Sequence, residues 1–210
     1  SNAMQMFFDG ISQNVNYLAS LPLIKNTDDS LKTYMSANAA SIPQGEMDKQ
    51  VFALLENLGN SHPAYAYAIV GTSAGGYVSW PDDAQLTNYD PRQRPWYKAA
   101  QAKPGKPLRT EAYYWTDNNT TYVSTVRTID NKLGAQGGVV SIDVTLTQLT
   151  ELVKQIKLGE TGYLMLMENN GTVLVDPKQP EHNFKALDSL GEGYAQLAKT
   201  GKGLVQVELG

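Results

Sequence analysis

Between Ala64 and Val144 the chain leaves helical spacing for short β-rich stretches punctuated by Gly, Pro and Asn turns. An antiparallel sheet is the simplest structure that buries them. Residues 64–70 alternate Tyr65, Tyr67 and Ile69 with small residues, and Gly75-Gly76 turns the chain into residues 77–80. Three more stretches follow at 108–116, 120–129 and 137–144, joined by turns at Asp117-Asn118-Asn119 and Asp130-Asn131. Pro95 fits the first position of a helix running through Ala102, because its missing N–H costs nothing there. The pattern predicts a five-stranded antiparallel sheet with one helical connection.

Three amphipathic helices are expected before the sheet. Phe7, Ile11, Val15 and Leu18 recur at helical spacing before Pro22, and Leu31, Tyr34, Met35 and Ala39 follow the acidic pair Asp28-Asp29. Ser41 and Gln44 have capping-box spacing ahead of a stripe of Met47, Val51, Leu54, Leu55 and Leu58, which Gly59 is expected to end. Ser1-Asn2-Ala3 reads as an expression-vector remnant and is left out of fold reasoning.

A weak internal repeat follows the sheet. Thr145 and Gln148 are placed to cap a helix bearing Leu146, Leu149, Leu152, Val153 and Ile156, stopped by Gly159. Strands at 163–168 and 172–176, a helix near 192–199 and a strand at 203–209 then echo the first half. A sheet cut after its third strand leaves an unpaired edge. The native chain is therefore expected to continue past Gly210 with two further strands and then a membrane span.

Composition excludes several function classes. A hydrophobic share of 41% with 18% charged residues suits a globular protein, and the net charge of −4 argues against nucleic acid or an anionic membrane surface as partner. With no cysteine there is no disulfide, thiolate catalysis or sulfur-ligated metal. His62 and His182 stand far apart without metal-ligand or triad spacing, and Gly71 to Gly76 lacks the Lys-Ser/Thr of a phosphate loop. Neither catalytic residues nor a metal or cofactor is expected.

The run Tyr89-Asp90-Pro91-Arg92-Gln93-Arg94-Pro95-Trp96-Tyr97 is the strongest functional signal. Arg94 precedes a proline, so its backbone is pushed toward an extended conformation at the mouth of a helix. Free N–H groups and a forked guanidinium there suit a carboxylate. Around this run lie eight of the 12 tyrosines and all three tryptophans, between residues 65 and 122. Such density points to a pocket with a few oriented polar groups. Asp143 sits within a strand-like stretch, sharing a face with Val139 and Ser141, where a carboxylate is costly to bury alone. An ion pair with Arg92 or Arg127, or a cap on the helix after Thr145, would also account for it.

The Tyr-Asp-Pro-Arg-x-Arg-Pro-Trp-Tyr run and the Gly-Val-Val-x-Ile-Asp-Val stretch at Gly138 to Val144 resemble the double Cache sensor domain of bacterial chemoreceptors, in its amino-acid-binding branch. The resemblance implies an α+β fold with a long N-terminal helix and two PAS-like modules, the second truncated here. It implies an N-terminal helical region at 4–60, a membrane-distal ligand-binding module at 61–145, and a linking helix with an incomplete membrane-proximal module at 146–210. It places a ligand carboxylate on Arg94 and Trp96, and a ligand ammonium on Tyr89, Tyr97 and Asp143. Arg92 is left structural, paired with Asp90 or another acid. Asp117 is a reserve candidate for the ammonium, or a turn residue. Trp80, Tyr113 and Trp115 are candidate pocket walls.

The function so implied is a periplasmic ligand sensor of an inner-membrane methyl-accepting chemotaxis receptor, anchored by transmembrane helices outside these 210 residues and paired as a homodimer through the N-terminal helix. Its ligand would be a free L-amino acid or close analogue, held in the first module only, since the second has no counterpart of Arg94-Pro95-Trp96-Tyr97. A histidine-kinase or cyclase sensor for an amine or small carboxylate is an alternative. A hydrolase or lyase built on the Arg/Tyr/Asp cluster is the rival from another class.

Overall fold

The computed structural model describes residues 2–27, 29–82, 85–116, 118–131, 136–156, 158–201 and 203–209. The chain divides into two compact units, Gln5–Thr145 and Leu146–Gly210 with Ser1–Met4. Mixed helix and antiparallel sheet is the fold class expected, and it is the one observed. No described helix is long and apolar enough to cross a membrane.

Helix α1 (Asn2–Ser20) buries Phe8, Ile11, Val15 and Leu18 at spacings of three and four residues, one helical stripe. Phe8, not the expected Phe7, is the buried aromatic; Phe7 stands edge-on to it at 5.3 Å. After the short α2 (Pro22–Lys25), no α-helix forms over residues 31–39, and the chain around residues 32–35 is extended. The Lys32 carbonyl accepts from Tyr77 N at 3.0 Å and the Tyr34 carbonyl from Tyr89 N at 2.8 Å. Those bonds hold the segment extended, so its backbone groups are spent on tertiary partners instead of on one another.

Helix α3 (Glu46–Asn60) starts later than the Ser41/Gln44 spacing predicts, because Ser41 ends a 3-10 turn (Ala39–Ser41). Its start is held by Asp48, whose buried carboxylate accepts from Gly45 N at 2.8 Å and from Lys32 N at 2.9 Å. Gly59 does not stop the helix. It lies within the last turn, and the Trp80 indole occupies the space a β-carbon would take.

The first unit's sheet comprises β1 (Tyr67–Thr72), β2 (Tyr77–Trp80), β3 (Leu108–Arg109), β4 (Tyr113–Trp115), β5 (Thr120–Asp130) and β6 (Gln136–Thr145). Among the described residues its order is β2-β1-β6-β5-β3, all antiparallel, with β4 also paired to β5. The single strand expected at 108–116 is broken. Arg109 pairs with Thr125 and Tyr113 with Tyr122, so residues 110–112 oppose only Val123 and Ser124. This extra residue is a β-bulge, and it reverses the side-chain alternation beyond it. Leu108, Tyr113 and Trp115 thereby come to the same face.

That face carries Tyr67, Ile69, Tyr77, Tyr122, Val126, Val139 and Asp143, under helix α4 (Pro95–Gln101). The opposite face receives α3 at Trp80, and also α1, whose Asn16 carbonyl accepts from Arg127 Nη1 at 3.3 Å.

The second unit contains α5 (Leu146–Gln155), β7 (Leu166–Met167), β8 (Val173–Val175) and α6 (Glu192–Lys199) around Val173, Leu187 and Tyr194. No strand forms at 203–209. One edge of β8 is paired with β7, and the segment at 184–186 occupies the other through Val173 N to Lys185 O and Phe184 N to Val173 O, at 2.9 and 2.7 Å. The alternating run at the end of the chain therefore finds no ladder there.

Gly59→Ala places a methyl group inside the Trp80 indole and should lower unfolding free energy by about 1–3 kcal/mol through overpacking. Urea unfolding of the ligand-free domain measures this. An unchanged midpoint would show that Gly59 is not needed for the packing.

Candidate functional site

The segment leading into α4 is shaped by its two prolines. Asp90 Oδ1 accepts from Arg92 N at 3.0 Å and starts a 3-10 turn over Pro91–Gln93. The same carboxylate holds the Arg92 guanidinium at both oxygens, each at 2.9 Å, and this pair keeps the Asp90 carboxyl below its usual range. Arg92 is thus paired with Asp90, one of the acids the resemblance left open for it, and not with Asp143. Arg94 has φ −80 and ψ 148, the extended conformation a following proline imposes, and Pro95 begins α4.

From this point Arg94 and Trp96 enter the aromatic region. The Arg94 guanidinium carbon lies 4.1 Å from the Trp115 ring centroid and 5.5 Å from that of Tyr89. Its Nε is buried without a hydrogen-bond partner. An orphaned donor on a cation is an open invitation to an acceptor from outside the protein. The Trp96 indole and the Tyr77 hydroxyl both bond the Tyr89 hydroxyl. Burial pushes Tyr89 up to about 12, against the opposing pull of those bonds and of Arg94.

A cavity of about 180 Å³ opens beside these groups. The described residues lining it are Tyr67, Ile69, Tyr77, Leu86, Tyr89, Trp96, Tyr113, Trp115, Asn118, Tyr122 and Asp143, so Asp143 is the one formal charge among them. A cavity of about 150 Å³ accepts a benzene-sized molecule, so this one suits a small ligand rather than a polymer.

Asp143 is 3% exposed, with Tyr67 opposite it on β1 and Ser124 opposite it on β5. Ser141 Oγ donates to its Oδ1 at 2.6 Å and the Tyr113 hydroxyl donates to its Oδ2 at 3.2 Å. Ser124 Oγ donates to the Tyr113 hydroxyl at 3.2 Å, which extends the run of hydroxyls ending on the carboxylate. Among the described residues no ion pair reaches it: Arg92 is held by Asp90, and Arg127 bonds the Gly105 and Asn16 carbonyls. Burial raises the Asp143 carboxyl above its usual range, with the three hydroxyls pulling it back. Burial, and then the Asp143 charge, also raises the Tyr113 hydroxyl.

The structure therefore brings Tyr89, Trp96, Tyr113 and Asp143 to one cavity, with Arg94 against its Tyr89 and Trp115 walls. Tyr97 is not among the lining residues. Tyr97 packs with Trp96 and Pro91 around Gly71 and feels the charges of Arg92 and Asp90. Asp117 lies outside the described residues. Trp80 leaves the candidate walls, because it sits on the α3 face of the sheet. Ser124, Asn118 and Leu86 were missed by sequence reasoning. Ser124 could have been found only from the β5–β6 register, whereas Ser141 shared the Asp143 face in the sequence itself. No group of three or more described His, Asp or Glu residues could hold a metal ion.

Comparison with known proteins places the chain in a family. The chain is 34% identical over 140 residues to the methyl-accepting chemotaxis protein McpB of Bacillus subtilis, a match covering 66% of this chain and 20% of that relative. The match therefore spans about a fifth of the relative's length. The fold is that of the ligand-binding domain of the Pseudomonas aeruginosa amino-acid chemoreceptor PctB, solved with L-Arg, at TM-score 0.72 and 24% identity over 99% of this chain and 77% of that one. The ligand-binding domain of the Pseudomonas fluorescens chemoreceptor CtaA, solved with L-valine, matches at TM-score 0.62 and 26% identity over 92% of this chain and 75% of that one. The Cache domain family matches residues 3–208, nearly the whole length, and this chain belongs to that family.

Proposed function

We propose that the chain is the extracytoplasmic ligand-sensing domain of an inner-membrane methyl-accepting chemotaxis receptor, and that its first unit binds a free L-amino acid or a close analogue without turning it over. The observation that carries this reading is the buried Asp143 carboxylate, which has hydroxyl partners but no cation, in a cavity whose Tyr89 and Trp115 walls touch a guanidinium with an unpartnered Nε. A zwitterion supplies both missing partners at once. Its ammonium meets Asp143 while its carboxylate meets Arg94 and the Trp96 indole, which would exchange the Tyr89 hydroxyl for the ligand. Tyr89 and Tyr113 line the site beside the ammonium, and Tyr97 braces the Arg92–Asp90 turn from outside it.

The relatives support this use, since PctB and CtaA are both seen with amino acids in their ligand-binding domains. The second unit holds no equivalent of the Arg94-Pro95-Trp96-Tyr97 run, so one ligand per chain is expected. A homodimer through α1 would use the side away from its buried stripe, where Met6 and Tyr17 are exposed. A ligand can bias such an assembly only by its difference in affinity between two arrangements. Titration calorimetry with the twenty proteinogenic L-amino acids tests the reading, and absence of heat from all of them would end it.

Arg94→Ala should weaken binding of the best amino acid by about 2–5 kcal/mol, because the ligand carboxylate is then desolvated and unpaired. Arg92→Ala should lower the melting temperature while leaving affinity within about threefold, since its partner is Asp90. Near-normal affinity in the Arg94 variant would remove the carboxylate clamp.

Affinity should fall as pH drops through the raised Asp143 pKa, because a neutral carboxyl no longer attracts an ammonium. The sign for stability is opposite. The folded state holds the Asp143 proton more tightly than the unfolded chain, so its stability declines as pH rises from the ordinary carboxylate range to the folded value. Asp143→Asn should therefore bind amino acids poorly at every pH and yet melt at or above the wild-type temperature at pH 7. Calorimetry across pH 4–8 beside thermal melts checks both, and a deaminated acid binding as tightly as its amino acid would exclude Asp143 from the site.

A further inference from the structure

We infer that Ser141 and Ser124 are positioning residues that keep Asp143 charged for the ligand's ammonium. The ammonium part rests on the function proposed above, while the effect on Asp143 stands on the ligand-free geometry.

The carboxylate is reached from three strands at once. Ser141 on β6 donates to Oδ1 at 2.6 Å, Tyr113 on β4 donates to Oδ2 at 3.2 Å, and Ser124 on β5 donates to the Tyr113 hydroxyl at 3.2 Å, so that it acts on the carboxylate through that hydroxyl. Ser124 and Ser141 have no exposure to solvent, so no water substitutes for either hydroxyl from bulk. They occupy core positions where apolar residues would normally stand, in a sheet whose neighbouring positions on that face include Ile69, Val126 and Val139. Two buried hydroxyls serving one carboxylate are not needed to fill the space.

Their need follows from what surrounds Asp143. The titratable and charged groups facing it are Tyr67 from β1, Tyr113 from β4, Tyr122 from β5, and Tyr89 and Arg94 from the segment before α4. Burial raises the Tyr89 and Tyr113 hydroxyls above their usual range, and Arg94 forms no ion pair with Asp143. Without a cation in contact, a carboxyl this buried takes up a proton and turns from acceptor into donor. A protonated Asp143 would present no charge to an ammonium. Hydroxyl bonds favour the ionised form without adding a cation that would compete with the ligand. The two serines thus solve a problem that an arginine or lysine at the same place would not, because such a residue would fill the ammonium's position.

Tyr113 differs from the serines in that it also lines the cavity and meets the ligand directly. Ser124 and Ser141 are not among the lining residues, so their effect on binding passes through Asp143.

The test uses Ser141→Ala and Ser124→Ala in the whole domain, with Ser141→Thr restoring a hydroxyl and circular dichroism confirming the fold. The Asp143 carboxyl carbon is followed by NMR through a pH titration without ligand. Each alanine variant should titrate about 1–2 pH units above wild type, as loss of a hydrogen bond supporting a charged group implies, and the threonine variant should return toward wild type. Calorimetry with the proteinogenic L-amino acids offered singly should show the low-pH limb of binding move upward by the same amount. Affinity should recover to within about threefold of wild type above both midpoints. An unmoved Asp143 titration in both alanine variants would overturn the inference, as would affinity loss equal at every pH, which marks a packing role. If the titration moves but no amino acid binds the wild-type domain, the proposed function fails while the effect of the serines on Asp143 stands.

Discussion

The register of β6 between β1 and β5 is the constraint on which the site depends. It sets Asp143 between Tyr67 and Ser124, and Ser141 between Ile69 and Val126, all on one face of the sheet. Shifting β6 by one residue would send Asp143 to the face that α1 and α3 cover and bring Ile142 or Val144 to the cavity. A buried carboxylate without a counter-cation is a standing cost in the empty protein. The apolar pairings along the strand, such as Val70 with Val140 and Ala68 with Ile142, are what hold it in place.

A second constraint lies at the edge of the same sheet. Were residues 108–116 one regular strand, Leu108 and Tyr113 would point to opposite faces. The bulge at 110–112 is fixed by Thr110, which donates its N–H to the Ser124 carbonyl and accepts the Ser124 N–H on its side chain, at 2.8 and 3.1 Å. Through it the chain supplies an apolar residue to the core and two aromatic residues to the cavity from one short segment. Ser124 is engaged by this bulge through its backbone and, through its side chain, by the Tyr113 hydroxyl that donates to Asp143, so edge geometry and site chemistry meet at one residue.

The two arginines of the turn illustrate how neighbours in sequence divide labour. Arg92 closes a bidentate pair with Asp90 and stiffens the turn; Arg94 is then presented from a fixed backbone with its guanidinium against aromatic faces. Stacking orients the cation without satisfying its buried Nε–H. Arg94 and Asp143 form no ion pair with each other, which is the separation the proposed ligand depends on.

What the sequence determined by itself was local. The Arg94-Pro95 dihedrals, the start of α4, the strand pair around Gly75-Gly76 and the shared face of Ser141 and Asp143 all follow from dihedral limits and from a period of two. Tertiary structure decided the rest, because it turns on which strand lies beside which and in what register. Residues 31–39 carry a helical stripe yet form no α-helix, and residues 32–35 run extended, since Gly76, Tyr77 and Tyr89 offer backbone partners that no local rule can see. Phe8 in place of Phe7, Trp80 on the far face, Tyr113 turned inward by a bulge, and Ser124 brought against Asp143 are of the same kind. Each was set by a neighbour distant along the chain, and periodicity carries no record of that neighbour.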